Sequence, residues 1–491
     1  MRVKKNILLI FSSLIALLVG LTVIKSGFQY TFDADELYHA QQAFLIIKGF
    51  EPYTQFFINH SVIFHWFISP VILFGGTNID TIYALRALMI VLFLLRLLFS
   101  FMIIKKLFGK IAALFFIFLL FLDPFNAMTS MQIRPDNLML TVYLAGLLVM
   151  IKGVNLKSPA HFFISGLLLG LSFLITMKMA PSILAIFIIF GIYSLSIRKF
   201  SDLICLIIGF IVPLTIYSLI YLFNGSFPLM FQEVFIDSPK LIMSMYAPFG
   251  FLYQPYNAYI FGTADKPLTW VYVWLIPLWA AIGTYIAVAE VFSKKIIERI
   301  DLVKLVLVAT LWIQWLILFF LNGVFVQYYL IYTWFMPMVA GYFYYYFLKN
   351  NVKNITLQNI FSVIFFILFI VFSVSSIKGN LAHAKISDKS TPELLKSYWK
   401  IIPENARVFP SILFRPITYT VPYGLIAQPE LLPSSMRKKL PPVIDVLEAN
   451  KADYIIVDDI NVLNKLDNRF SSYLEEKFSR IKDGKIYVRK K

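Results

Sequence analysis

Asp33, Asp35 and Glu36 place three carboxylates within four residues, in the stretch Phe32-Asp33-Ala34-Asp35-Glu36-Leu37-Tyr38-His39. The chain around them is 59% hydrophobic and only 14% charged, so such crowding is not ordinary surface solvation. A carboxylate can take a proton from a hydroxyl, and a pair can hold a divalent cation. The cluster comes straight after the first hydrophobic run, and the topology derived below sets it just outside the bilayer on the non-cytoplasmic side. An ionisable cluster there is a candidate functional site. A plainer role competes for Asp35: N-cap of a helix over 36–48, since aspartate is favoured at that position.

The elements that must position these groups are membrane helices. The chain has 491 residues and 49 phenylalanines, with a mean hydropathy of +0.76, too apolar for a soluble domain of this length. A spanning helix needs about 20 mostly apolar residues. Such runs occur at about 6–25, 82–104, 111–123, 135–151, 162–177, 180–197, 203–223, 270–290, 304–321, 327–348 and 355–377. The first, behind Arg2, Lys4 and Lys5, reads as an uncleaved signal anchor. Lys and Arg crowd the alternate loops around Lys105–Lys110, Lys152–Lys157, Arg198–Lys199 and Lys294–Lys304. By the positive-inside rule these loops and the N-terminus are cytoplasmic, and the C-terminal region is extracytoplasmic. The long segments 26–81 and 224–269 are then outer loops. The net charge of +17 belongs to the inner loops and the C-terminal region and does not point to nucleic acid. The single cysteine, Cys205, excludes a disulfide within the chain.

The fold class expected is an α-helical polytopic membrane protein, with about 11 transmembrane helices, interfacial helices in its outer loops and a small C-terminal α/β extracytoplasmic domain. The expected division is 1–378 for the membrane domain and 379–491 for the soluble one. In the first outer loop, Asp35–Lys48 has helical spacing, and the run Gly49-Phe50-Glu51-Pro52-Tyr53 breaks it. Phe56–Leu73 reads as a second helix lying at the interface. Two such helices would frame a cavity that a lipid-linked substrate enters sideways. In the C-terminal region, 406–409, 454–457 and 486–488 read as strands, and 441–450 and 469–481 as amphipathic helices. The aromatics and prolines of 224–269 suit a surface flap or an ordinary interfacial belt, and Glu233 and Asp237 could add to the site.

Asp35-Glu36 with Tyr38, Gly49-Phe50-Glu51-Pro52-Tyr53, Asn59-His60 and Leu73-Phe74-Gly75 together resemble the first outer loop of GT-C glycosyltransferases. The families most similar are the protein O-mannosyltransferases and the lipid A aminoarabinose transferases. Arg86, Leu107-Phe108-Gly109, Arg134-Pro135-Asp136, the Gly166–Gly170 stretch leading to Lys178, and Tyr328-Tyr329-Leu330 with Pro337 continue the resemblance over about residues 1–350. Where many relatives carry His-Pro-Pro, this chain has His60-Ser61-Val62.

The resemblance implies transfer of a sugar from a polyprenyl-phosphate donor to a glycan, lipid or protein acceptor on the outer face, usually with inversion. It makes Asp35 the general base, with Glu36 beside it to orient the acceptor or raise the basicity of Asp35. Asp33 and Asp35 form a DxD, which in other transferases holds a divalent metal. A phosphate leaving group calls for cations, and Arg86, Arg134 and Lys178 sit at outer ends of spans. Snorkelling to lipid headgroups is the competing role for each. Arg96 falls mid-span, where its charge needs an internal partner or a route to water. His60, Tyr53 and Gln327 are further substrate-binding candidates, with a plain interfacial histidine the alternative for His60. The resulting expectation is a multi-pass glycosyltransferase of an inner or plasma membrane. A flippase or transporter is the alternative class, though no internal repeat is visible, and a polysaccharide polymerase is the third.

Overall fold

The computed structural model describes residues 2–29, 32–56, 58, 60–122, 129–239, 267–320, 329–350, 363, 367, 370–371, 373–381, 390–409, 412–416, 442–457, 460–461, 464, 467–481 and 485–490. The eleventh expected span, Asn59, Gln327 and Tyr328 lie mostly or wholly outside the described residues. The chain folds into two compact units, one of 1–30, 86–217 and 247–387, the other of 31–85, 218–246 and 388–491.

The first unit is helical. It holds α1 (Arg2–Gln29), most of α4 (Ile79–Phe108), α5 (Lys110–Leu122), α6 (Pro135–Leu156), α7 (Pro159–Ile175), α8 (Ala180–Ile197), most of α9 (Ser201–Phe223), α11 (Pro267–Phe292), α12 (Arg299–Phe320) and α13 (Tyr329–Asn350). Each coincides with an apolar run read from the sequence. Ile79–Phe108, Pro135–Leu156, Met177–Ile197, Ser201–Phe223 and Arg299–Ile317 are long and apolar enough to cross a membrane.

Small residues decide how closely these helices pack. Gly166 and Gly170 lie four apart on α7 against α9, and a Cβ at either would strike the backbone carbonyls of Leu206 or Phe210. Gly209 meets the Phe163 carbonyl in the same way. This is the small-xxx-small contact of membrane helices, where dispersion between closely apposed backbones replaces the missing hydrophobic drive. The glycines of that stretch are thus packing devices. Gly109, at φ +98°, makes the corner between α4 and α5, a conformation open to glycine at little cost. Between α11, α12 and α13, Tyr342 donates to Glu290 at 2.6 Å and Lys304 Nζ meets Glu290 at 3.2 Å. Lys294 meets both oxygens of the buried Asp301 at 2.8 and 2.9 Å.

The second unit opens with α2 (Ala34–Ile47) and α3 (Ile63–Gly75), which pack together. α3 begins seven residues later than the sequence suggests. The described residues ahead of it, Phe56, Ile58, His60, Ser61 and Val62, are not helical, and Phe56, Ile58 and Val62 are buried. The short α10 (Phe227–Phe231) runs into a π-helical turn at Gln232–Asp237. Among the described residues the C-terminal part has α14 (Ser390–Ile401), α15 (Val443–Ala449), α16 (Phe470–Lys477) and four strands: β1 (Val408–Phe409), β2 (Tyr454–Ile456), β3 (Phe478–Arg480) and β4 (Ile486–Arg489). The sheet order is β1-β2-β4-β3. β1 is parallel to β2, with Val408 opposite Tyr454; β4 is antiparallel to both its neighbours, with Ile455 opposite Tyr487 and Ser479 opposite Val488. The expected helix over 469–481 therefore ends at Lys477. Its last residues gain more as an edge strand on β4, with Phe478 buried.

Candidate active site

The acidic cluster starts α2. Asp33, extended at φ −76° and ψ 146°, is the N-cap. Its Oδ1 accepts from the Asp35 N–H at 3.2 Å, and its own N–H donates to Glu36 Oε2 at 3.0 Å, closing a capping box. This corrects the competing role considered for Asp35: the helix begins two residues earlier, and Asp33 carries the cap. Glu36 is fully buried and fastens the helix start from its third position, whereas Asp35, at the second position, is half-buried. Asp33 spends one carboxylate oxygen on the cap, and among the described residues no group of three or more His, Cys, Asp or Glu is arranged to hold a metal ion.

One turn on from Asp35, His39 meets His65 of α3, Nδ1 to Nε2 at 3.1 Å, and its ring centroid lies 5.8 Å from that of His60. Burial and the nearby His60 push His65 down to about 3, against a backbone contact with Ser61 that favours the charged form. It is neutral at physiological pH. Neither His39 nor His65 was singled out from the sequence, although His39 stands four residues from Asp35 and so shares its helix face. Tyr53, at φ +69° and buried, donates from its hydroxyl to the His60 carbonyl at 3.1 Å and packs edge-on against Tyr221 at 5.1 Å. It thereby pins the turn that carries His60. Glu233 accepts from the Ile58 N–H at 3.3 Å. Burial, with Asp237 nearby, pushes Glu233 up to about 8 against the stabilising Ile58 contact.

The cations belong to the first unit. Arg134 precedes Pro135 at the start of α6, is 5% exposed, and donates from Nε to Gln132 Oε1 at 2.9 Å. Lys178 sits in a single 3₁₀ turn, Met177–Met179, between α7 and α8. Its Nζ meets Asp136 Oδ1 at 2.7 Å. That partnership joins residues 42 apart in the chain and left no local signal. Asn137 holds the entry to α6 by donating to the Thr129 and Gln132 carbonyls at 3.1 and 2.7 Å. Gln314 of α12 donates to the Lys178 carbonyl at 3.0 Å and to Ser182 Oγ at 2.9 Å. Arg86 is buried and donates to the Phe28 carbonyl at 3.1 Å. Arg96 finds the internal partners its mid-span position demands: the Trp334 ring at 4.7 Å, the Phe93 ring at 5.9 Å and the Ser130 carbonyl at 3.4 Å. Its charge therefore supports the segment ahead of Arg134-Pro135-Asp136.

Among the described residues, five helices long and apolar enough to cross a membrane describe an integral membrane protein. The model of the family described as dolichyl-phosphate-mannose-protein mannosyltransferase matches residues 59–221. Among solved structures, the chain is similar to ArnT from Cupriavidus metallidurans, in a crystal structure bound to undecaprenyl phosphate. The TM-score is 0.59 at 12% identity, with 98% of this chain and 97% of that chain covered. It is also similar to the Archaeoglobus fulgidus oligosaccharyltransferase tethered to an acceptor peptide containing the NVT sequon, with TM-score 0.50, 12% identity, and 98% and 74% covered. At these identities the likeness speaks for the fold. No curated protein sequence matches the chain. The GT-C resemblance read from the sequence is thus borne out.

Proposed function

We propose that this protein is a multi-pass membrane glycosyltransferase that moves a sugar from a polyprenyl-phosphate donor to an acceptor hydroxyl on the extracytoplasmic face, with inversion. The membrane domain spans 1–378 with about eleven helices, the N-terminus is cytoplasmic, and 379–491 form an extracytoplasmic α/β domain. Asp35 takes the acceptor O–H proton. The acceptor oxygen bonds to the anomeric carbon from the face opposite the phosphate, the bond from that carbon to phosphate oxygen breaks, and polyprenyl phosphate leaves with the electron pair. Arg134 and Lys178 meet the charge that develops on the leaving phosphate, where preorganised donors act most strongly. Arg86, His60, Tyr53 and Gln327 complete the proposed substrate-binding set, with Tyr53 acting through the turn it pins. The membrane affinity of a lipid-linked donor, the undecaprenyl phosphate bound to the ArnT neighbour and the mannosyltransferase family match support this reading.

The observation that carries it is the division of labour at the start of α2. Asp33 and Glu36 close the capping box between them, so the half-buried Asp35 is not needed as the cap. The test is Asp35→Asn, assayed as transfer from polyprenyl-phosphate sugar in membranes with matched protein levels. The variant should insert normally and lose ~10²-fold or more of its rate, the scale of a positioned general base. Near-normal transfer would remove Asp35 from the chemistry and favour the transporter alternative.

A further inference from the structure

The acidic helix is fastened at its middle to a part of the chain some 370 residues later. Gln41 of α2, 3% exposed, donates from Nε2 to the Arg415 carbonyl at 2.6 Å and accepts at Oε1 from the Phe414 N–H at 2.6 Å. One side-chain amide thus reads both backbone groups of a single turn, as a neighbouring strand would. One turn further along, Phe44 packs on the Phe414 ring at 5.7 Å, and Lys48 closes the row with an ion pair to Glu404 at 3.0 Å.

The turn that Gln41 grips is itself built rigid. Arg415 is 4% exposed and spends its guanidinium on three carbonyls: Ile402 at 2.9 Å, Phe414 at 2.8 Å and Trp399 at 3.4 Å. Trp399 stacks on Phe414 at 5.9 Å and donates to the Leu413 carbonyl at 2.9 Å. The Val408 N–H of β1 donates to the Pro416 carbonyl at 3.0 Å, tying the turn to the sheet. Phe414 stands at φ +61°, a left-handed conformation that a bulky aromatic residue adopts only where its surroundings impose it. The turn is buried as well, with Leu413 4% and Phe414 0% exposed, and such over-determined backbone is what a positioning element needs.

We infer that the C-terminal domain is a positioning element for the acidic helix, and that Gln41, Phe414 and Arg415 are positioning residues for Asp35. The inference rests on the general-base reading above. It gives the 379–491 region a role in the rate of transfer that needs no contact with substrate. Asp35 lies six residues from Gln41, so loss of the grip lets the reactive carboxylate drift by a fraction of its hydrogen-bonding distance. A misplacement of about 1 Å costs about 10²-fold in rate.

The test measures kcat and the KM for the lipid-linked donor in the full-length protein, in native membranes. Gln41→Ala should lower kcat by about tenfold or more and leave the donor KM within twofold, because the phosphate partners lie elsewhere in the chain. Gln41→Glu supplies the readout that a purely structural role would not move. Its protonated carboxyl matches the amide, with a carbonyl to accept from Phe414 and an O–H to donate to Arg415, whereas the carboxylate sets an oxygen against the Arg415 carbonyl. The ratio of the Gln41→Glu rate to the wild-type rate should therefore climb as pH falls. Each pH pair is read at equal protein level, so the test survives if Gln41→Ala fails to accumulate. A Gln41→Glu ratio that stays flat with pH, or a Gln41→Ala kcat within twofold of wild type, overturns the inference. Asp35→Asn run in parallel separates the two ideas: normal transfer there overturns the general base, whereas an inactive Asp35→Asn beside an unaffected Gln41→Ala overturns the positioning role alone.

Discussion

Lys178 and Asp136 form a close ion pair at 2.7 Å, with side chains 17% and 5% exposed. The two partners are not equivalent. Removing Lys178 leaves a carboxylate almost fully enclosed at the start of α6, and breaking a buried pair from one side costs about 3–5 kcal/mol. Removing Asp136 leaves an ammonium on a flexible stem with a path to water, which limits the cost to about 1 kcal/mol, closer to a surface pair. Lys178→Met should therefore be the more damaging single change to stability, followed by Asp136→Asn. The double variant Lys178→Met with Asp136→Asn buries no lone charge and should recover about 2 kcal/mol relative to the sum of the singles. The assay is equilibrium or thermal unfolding in one detergent, with transfer measured on the same samples. If Lys178 serves the leaving phosphate, the double variant should still transfer poorly when compared at equal amounts of folded protein. Additivity of the singles within about 0.5 kcal/mol would refute the pairing, and wild-type transfer by the double variant would refute the phosphate role.

Glu233 is raised to about 8 from an ordinary carboxylate value, so the folded state holds a proton that the unfolded chain releases. Stability should then be greatest below the unfolded value and fall as pH rises from about 4.5 to about 8; Glu233→Gln should flatten that slope, and an unchanged slope in a melting series would exclude Glu233 as its source. Gly170→Leu drives a side chain into the Phe210 carbonyl and Pro213 of α9 and should cut the yield of folded protein by most of its value, read by size-exclusion of the solubilised chain; an unaffected yield would mean the α7–α9 approach is looser than described. A reporter fused after Lys491 should be active only as an exported protein, and one fused near Lys295 only as a cytoplasmic one; the reverse pattern would invert the topology.

What the sequence disclosed depended on the range of the interaction. The apolar runs became helices because a lipid-facing backbone must satisfy its own hydrogen bonds, a rule read within one segment at a time. Arg86 and Arg134 were legible as cations at the ends of spans, and both are buried, at 1% and 5% exposed. Local competition was harder to read. Both Asp33 and Asp35 suit an N-cap, and only the backbone of Asp33, extended ahead of Ala34, decides between them. Long-range choices left no trace at all. Nothing in the order of residues couples Lys178 to Asp136, Gln41 to Phe414, or the end of the 469–481 run to the edge of β4. Gln327 falls outside the described residues, and its proposed role comes from the sequence.

The grip of Gln41 on Phe414 and Arg415 also has a meaning in time. The two contacts span 373 and 374 residues of chain. At a synthesis rate of about 5–20 residues per second, the acidic helix waits on the order of 20–75 s for the turn that steadies it. During that interval α2 and α3 exist without their C-terminal partner, and the loop that must then close adds only about 0.6 kcal/mol for each doubling of its length. Any activity that depends on this grip would arrive only after Arg415 has been made. A chain cut short anywhere before residue 414 would carry Asp33, Asp35 and Glu36 without the backbone groups that Gln41 grips.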